Sequence, residues 1–205
     1  MQVRLENVGK KFQHEWIFRD VTFLFEENLT YALTGPNGSG KSTLLTMLSA
    51  LIPPSRGTLT YRQANQSVAE EEVYRHLTLA APYQELVEEF TLRELLDFHF
   101  TLKPPIEALS VPEILDKMRL ATALNKYIYQ FSSGMKQRLK LGLALYSDSR
   151  MVLLDEPCAN LDAENTRWYR EEIQPLLGRR LIVIASNQPY EYDFCDQVLD
   201  IVRYK

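Results

Sequence analysis

Apolar and polar positions divide the chain into strand-like and helix-like stretches. Residues 2–8 alternate through Val3, Leu5 and Val8, which predicts an antiparallel strand with one face in solvent. Lys10-Lys11-Phe12-Gln13 reads as a turn, residues 17–25 as a second strand, and Glu26-Glu27-Asn28 as the next turn. Tyr31-Ala32-Leu33 is apolar at consecutive positions and predicts a buried strand. From Thr43 to Leu48 apolar residues recur at helical spacing, and this helix is expected to stop at Pro53-Pro54, where proline cannot continue it. Residues 55–57 predict a turn, 57–61 a short strand, 62–72 a polar surface loop and 77–81 another buried strand.

Between Thr91 and Ser147 the pattern turns helical. Leu92, Leu95, Leu96 and His99 share one face, and Pro104-Pro105 breaks that helix. Residues 111–124 predict a second helix with Pro112 near its start, and 139–146 a third, for which Ser132 or Ser133 is a plausible N-cap. The apolar run Met151-Val152-Leu153-Leu154 then predicts a buried strand. A helix from Asp162 to about Leu177, a buried strand over 181–185 and a short strand over 198–202 complete the chain. Strands surrounding an inserted helical block predict an α/β fold. No internal repeat or low-complexity segment is visible.

Candidate chemistry concentrates where one buried strand meets a helix. Gly35-Pro36-Asn37-Gly38-Ser39-Gly40-Lys41-Ser42-Thr43 fits the phosphate-loop pattern G-x-x-x-x-G-K-[ST], in the strand–turn–helix context that pattern requires. Glycines let the backbone turn its N–H groups inward as an anion nest, and the helix start adds its dipole. Lys41 is placed for β- and γ-phosphates, the Ser42 hydroxyl for Mg²⁺, and Thr43 for the α-phosphate. With glycine near 7% of residues, a chance match in a chain this size is on the order of one per cent.

A second site candidate is the end of the 151–155 strand, where Asp155 and Glu156 follow the apolar run. Strand carboxyl ends are where open α/β sheets bind ligands. Asp155 fits Mg²⁺ ligation and Glu156 fits a general base for water. Beside a phosphate loop this outweighs a solvated acidic turn, because the two motifs explain each other. Phe12 reads equally as a base-stacking ring or a core aromatic.

Composition narrows the class. At 205 residues the chain is long enough for one domain with a sizeable core. Its net charge of −4 argues against a nucleic-acid surface. No run approaches the roughly 20 apolar residues of a membrane span, and the charged N-terminus does not resemble a signal peptide. Cys158 and Cys195 have no metal-ligand spacing and read as free thiols; His14, His76 and His99 form no cluster.

The order of motifs resembles the ATP-binding subunit of an ABC transporter, over essentially the whole chain. The resemblance implies a P-loop NTPase (RecA-like) core with a small antiparallel β-subdomain and an inserted α-helical subdomain. It also implies a single domain over 1–205, with the core at about 1–83 and 148–205 and the helical subdomain at about 84–147. By the same resemblance Gly35 to Thr43 is the Walker A loop, Asp155 the Walker B aspartate and Glu156 the catalytic glutamate. Ala159-Asn160-Leu161-Asp162 matches the D-loop and Phe12 the aromatic that stacks on adenine. Ser132 and Gly134 match the signature that contacts the γ-phosphate held by an opposite subunit.

Three features depart from the family pattern. The signature reads Phe131-Ser132-Ser133-Gly134-Met135, with Ser133 and Met135 at altered positions. Gln84 is the nearby candidate for the glutamine that senses Mg²⁺, closer to Thr91 than the pattern expects. Asn187 stands where a switch histidine is usual; asparagine donates a hydrogen bond but carries no charge, so slower hydrolysis is expected.

The resemblance implies ATP and Mg²⁺ as ligands and a homodimer or heterodimer formed on ATP binding. It further implies a separate membrane-spanning permease subunit, docked on the helical insert, and a peripheral place on the cytoplasmic face of the membrane. The short length resembles stand-alone subunits without a C-terminal regulatory domain, and the residues after Ser132 resemble export-type systems. The alternative is a soluble ABC-type switch with slow turnover and a non-membrane partner. A phosphate-loop kinase would leave Ser132–Gly134 and Leu161-Asp162 unexplained; a binding-only subunit with little turnover is a further alternative, to which Asn187 lends support.

Overall fold

The computed structural model describes residues 1–106 and 109–205. Residues 107 and 108, within the expected helical subdomain, lie outside the described residues. The chain divides into two compact units. One comprises 1–79, 149–156 and 176–205, the other 80–148 and 157–175.

The first unit carries two sheets. Strands β1 (Gln2–Phe12), β2 (Glu15–Phe25), β4 (Arg56–Gln63) and β5 (Gln66–Val68) form an antiparallel sheet in the order β2-β1-β4-β5. Strands β3 (Thr30–Thr34), β6 (Leu77–Ala80), β7 (Met151–Asp155), β8 (Leu181–Ala185) and β9 (Gln197–Asp200) form a second sheet in the order β6-β7-β8-β3-β9. There β7, β8, β3 and β9 run parallel. Strands β7 and β8 are buried at every residue, as uninterrupted aliphatic runs in a parallel sheet should be. Helix α1 (Lys41–Leu48) covers this sheet, and one apolar core joins its Leu44, Leu45, Met47 and Leu48 to residues of both sheets.

Register positions the site. Asp155 of β7 is level with Ala185 of β8, and Ala185 is level with Leu33 of β3. The carboxyl ends of three adjacent parallel strands therefore open onto one edge.

The second unit holds α2 (Leu92–Leu102), α3 (Val111–Lys117), α4 (Ser133–Tyr146) and α5 (Ala163–Ile173). Leu92, Leu95 and Leu96 are buried on α2, and His99 forms a 2.8 Å hydrogen bond with Ser147. Segment 157–175, expected with the core, packs here instead. On α5 the Trp168 indole N–H donates to Lys117 O at 2.6 Å, and Glu172 pairs with Lys117 at 2.9 Å.

Several boundaries differ from the pattern-based expectation, each for a local reason. Strand β1 runs on to Phe12, which pairs with Glu15, so Lys10 to Phe12 are strand and the turn falls at Gln13 and His14. Helix α1 stops at Leu48, well before the prolines. Ala50 adopts φ 61, and the N–H groups of Ala50 and Leu51 close on the Met47 and Thr46 carbonyls, a Schellman stop. Within the expected 62–72 loop, Ala64 and Asn65 both take positive φ, and β4 and β5 join there in a tight hairpin. Helix α3 ends at Lys117 rather than Leu124, because Arg119 adopts φ 54 and the Leu120 N–H closes on Leu115 O. Helix α4 begins at Ser133 on the N-cap Ser132 rather than at Leu139. Helix α5 gives way after Ile173 to a 3₁₀ turn, and the last strand spans 197–200 before another.

Candidate nucleotide site

The loop between β3 and α1 is shaped by its glycines. Gly40 adopts φ 105, and a Cβ there would meet Ile17 Cγ2 at 2.6 Å. Only glycine fits that turn against β2. Lys41 is 5% exposed, and its Nζ donates to Gly35 O at 2.8 Å and to Pro36 O at 3.3 Å. The ammonium is thus folded under the loop, next to the backbone that an anion would approach. Ser39 Oγ is buried in the loop without a hydrogen-bond partner.

A cavity of about 330 Å³ opens over this loop. Its walls are Ile17, the loop from Asn37 to Thr43, and Glu156. Asp155, 2% exposed, has the Ser42 hydroxyl beside its carboxyl. Burial raises that carboxyl above the ordinary value, the Ser42 hydroxyl opposes this, the Glu156 charge adds to it and Lys41 opposes it. Glu156 adopts φ 44, a strained conformation for a non-glycine residue, and its N–H donates to Ala185 O at 2.9 Å. That turn brings a half-buried carboxylate to the cavity wall.

Asn187 follows β8 by two residues. Its Nδ2 donates to Asn37 Oδ1 at 3.2 Å, joining it to the phosphate loop from 150 positions away. The structure therefore brings together the loop, Asp155, Glu156 and Asn187. Phe12 sits 51% exposed at the end of β1, with Lys10 Nζ 5.3 Å from its ring centroid, and is not part of the cavity wall. Ile17 is part of it. Sequence reasoning missed Ile17, whose apolar character within a strand carries no chemical signal.

Gln84, Ser132 and Gly134 belong to the second unit. Gln84 Oε1 accepts from Ala81 N at 3.0 Å, closing the turn after β6. Ser132 Oγ caps α4 by accepting from Met135 N at 3.2 Å. Gly134 is half-buried, and a Cβ there would meet Asn160 O at an ordinary contact distance of 3.6 Å. The neighbouring Gln137 Nε2 donates to Pro157 O at 2.8 Å, and Arg138 Nη1 to Asn165 Oδ1 at 2.5 Å. Both tie α4 to the segment containing residues 159–162.

The donor set suits a triphosphate and a small hard cation. Backbone amides, one ammonium and an unsatisfied hydroxyl line the loop, and the Ser42 and Asp155 oxygens are of the type that Mg²⁺ takes alongside substrate phosphates. Among the described residues no cluster of three or more His, Cys, Asp or Glu is arranged for a metal. Nor is any helix long and apolar enough to cross a membrane.

Comparison with known proteins agrees with this geometry. The family model described as ABC transporter matches residues 18–159. A sulfate/thiosulfate import ATP-binding protein of Mesorhizobium japonicum is 30% identical over 97% of this chain and 60% of its own length. A Nod factor export ATP-binding protein I of Bradyrhizobium diazoefficiens is 30% identical over 97% of this chain and 66% of its own. The chain thus spans less than two thirds of these relatives. Among solved structures, an ATP-binding subunit of an ABC transporter superposes with a TM-score of 0.83 at 24% identity, over 98% of this chain and 85% of that one. A dimeric bacterial ABC transporter cassette gives 0.79 at 22%, over 97% and 94%. At these identities the superpositions show the fold.

Proposed function

The chain belongs to the ABC transporter family, and on that premise we propose that it binds and hydrolyses ATP to power transport through a separate membrane-spanning permease subunit. The observation that carries this reading is the phosphate-loop cavity, whose wall joins Lys41 and Ser42 to Glu156, with the buried Asp155 carboxyl beside Ser42. It sets a cation-ligating pair and a base at one end of a nest for phosphates.

Mg²⁺, which Ser42 and Asp155 would hold, would supply charge neutralisation for the phosphates. Lys41 leaves the Gly35 and Pro36 carbonyls and joins the loop amides as a donor to the phosphates. Glu156 orients the attacking water and takes its proton, while the terminal phosphorus passes from the bridging oxygen to that water. Asn187 donates a neutral hydrogen bond to the terminal phosphate from the opposite side of the loop. Phe12 stacks on adenine beyond Ile17, and Gln84 relays the state of the metal site to the permease.

A second copy completes each site. Ser132 and Gly134 contact the terminal phosphate held by the partner, so ATP closes a homodimer or heterodimer and hydrolysis reopens it. The chain is placed on the cytoplasmic face of a membrane, with the helical unit against the permease. Export is the favoured direction on the residues after Ser132, while the relatives include both sulfate/thiosulfate importers and Nod factor exporters.

Light scattering tests the reading. Glu156→Gln with Mg-ATP should elute at twice the monomer mass and with Mg-ADP at the monomer mass. Monomer under both conditions at saturating nucleotide would refute ATP-driven closure.

A further inference from the structure

The turn after β8 contains a buried carboxylate that the hydrolytic scheme leaves unused. Glu191 is 3% exposed and Ser186 is fully buried. The Ser186 hydroxyl donates to Glu191 Oε2 and accepts from Gln188 N at 2.9 Å. The Ser186 N–H donates to Leu33 O at 3.1 Å, fastening the start of the turn to β3 just before the phosphate loop. From the far side, the Glu191 N–H closes on Gln188 O at 2.9 Å. Between these fastened residues stands Asn187, exposed, with its Nδ2 on Asn37 Oδ1 at 3.2 Å.

Burying a carboxylate is costly unless its hydrogen bonds are met. Here part of that cost is offset by a serine whose hydroxyl also receives a backbone N–H, so the carboxylate fixes the direction of the hydroxyl, and the hydroxyl fixes the peptide that follows Asn187. An asparagine side chain is short and uncharged. Its hydrogen bond to a phosphate depends on how well the amide is aimed, because no long-range Coulomb attraction compensates for a poor angle.

We propose that Glu191 is a positioning residue for hydrolysis. Through Ser186 it sets the backbone on both sides of Asn187, so that the amide faces the phosphate loop. The inference rests on the reading of this cavity as an ATP hydrolysis site. Glu191 itself touches no phosphate. Its effect on turnover passes through Asn187, and nucleotide affinity, which comes from the loop and Lys41, does not depend on it.

The test is a double-mutant cycle on the full chain with Mg-ATP, read as kcat, ATP dissociation constant and hydrogen exchange of the Gln188 amide. Asn187→Ala should lower kcat by about tenfold, the scale of one hydrogen bond to a charged group. Glu191→Ala should lower kcat to a similar degree, leave the dissociation constant within twofold and speed exchange at Gln188. The double variant should be no slower than Asn187→Ala alone. Glu191→Gln keeps an acceptor oxygen for Ser186 and should restore kcat. Ser186→Ala, the milder change if Glu191→Ala does not fold, should repeat the Glu191→Ala result.

Multiplying losses in the double variant would overturn the inference, as would wild-type kcat in Glu191→Ala despite faster Gln188 exchange. An unimpaired Asn187→Ala would instead strike the role of Asn187 in the proposed function and remove the inference with it. An impaired Asn187→Ala beside an unimpaired Glu191→Ala would overturn the inference alone.

Discussion

The Ser42 hydroxyl lies beside the buried carboxyl of Asp155, so the first turn of α1 meets the last residue of β7. In the reading proposed above, this contact sets two oxygen ligands of one hard cation side by side. It also only partly relieves a carboxylate that burial has pushed toward its neutral form.

The sign of that shift gives a stability prediction. The folded state holds the Asp155 proton more tightly than the unfolded chain does. This group therefore favours folding at low pH, and that contribution is lost as pH rises through its raised value. Above that raised value the ionised side chain opposes folding. Asp155→Asn removes the charge and keeps an acceptor for Ser42. Calorimetry should show melting raised by about 2–4 °C, the equivalent of about 1 kcal/mol at this chain length, while Mg²⁺-dependent phosphate release is lost. A lowered melting temperature would make Asp155 a structural residue.

Phe12 presents half of its surface to solvent at the end of β1, five residues before Ile17 in the cavity wall. Stacking on a base is worth roughly 1–3 kcal/mol. Phe12→Ala should therefore weaken ATP binding by about tenfold and leave the affinity for inorganic tripolyphosphate unchanged. Equal weakening of both ligands in titration calorimetry would show that Phe12 supports the loop rather than the base.

Asn187 gives the site a neutral donor where a histidine would bring a titratable one. Asn187→His should raise kcat by about threefold or more, on the scale of a charge-assisted over a neutral hydrogen bond, and introduce a pH dependence near the ordinary histidine value of about 6.5. A rate at or below wild type across pH 6–8 would show that the position does not meet the terminal phosphate.

Much of the site was legible in the sequence because its parts are local. The phosphate loop needs glycines at fixed spacing between a strand and a helix, and β7 and β8 are unbroken aliphatic runs. The buried central positions of a parallel sheet leave no other composition open. What was not legible depends on partners far along the chain or on backbone angles that side chains do not announce. Asn37 and Asn187 meet only because β8 lies beside β3. Ala50, Ala64 and Arg119 adopt positive φ without being glycine, so the end of α1, the β4–β5 hairpin and the end of α3 carried no turn signal. Thr91 with Glu94 and Ser110 with Glu113 form capping boxes whose spacing was in plain view and marks the starts of α2 and α3. The membership of 157–175 in the helical unit follows from Trp168, whose burial against α3 no periodicity reveals.

The most direct measurement is phosphate release from Mg-ATP by the wild-type chain and by Glu156→Gln, with nucleotide binding followed in parallel. The predicted result is wild-type turnover that falls by at least about a hundredfold in the variant, the range for general-base catalysis, with ATP still bound. Equal rates in the two proteins, or no binding of Mg-ATP by either, would contradict the placement of a catalytic base across from the phosphate loop.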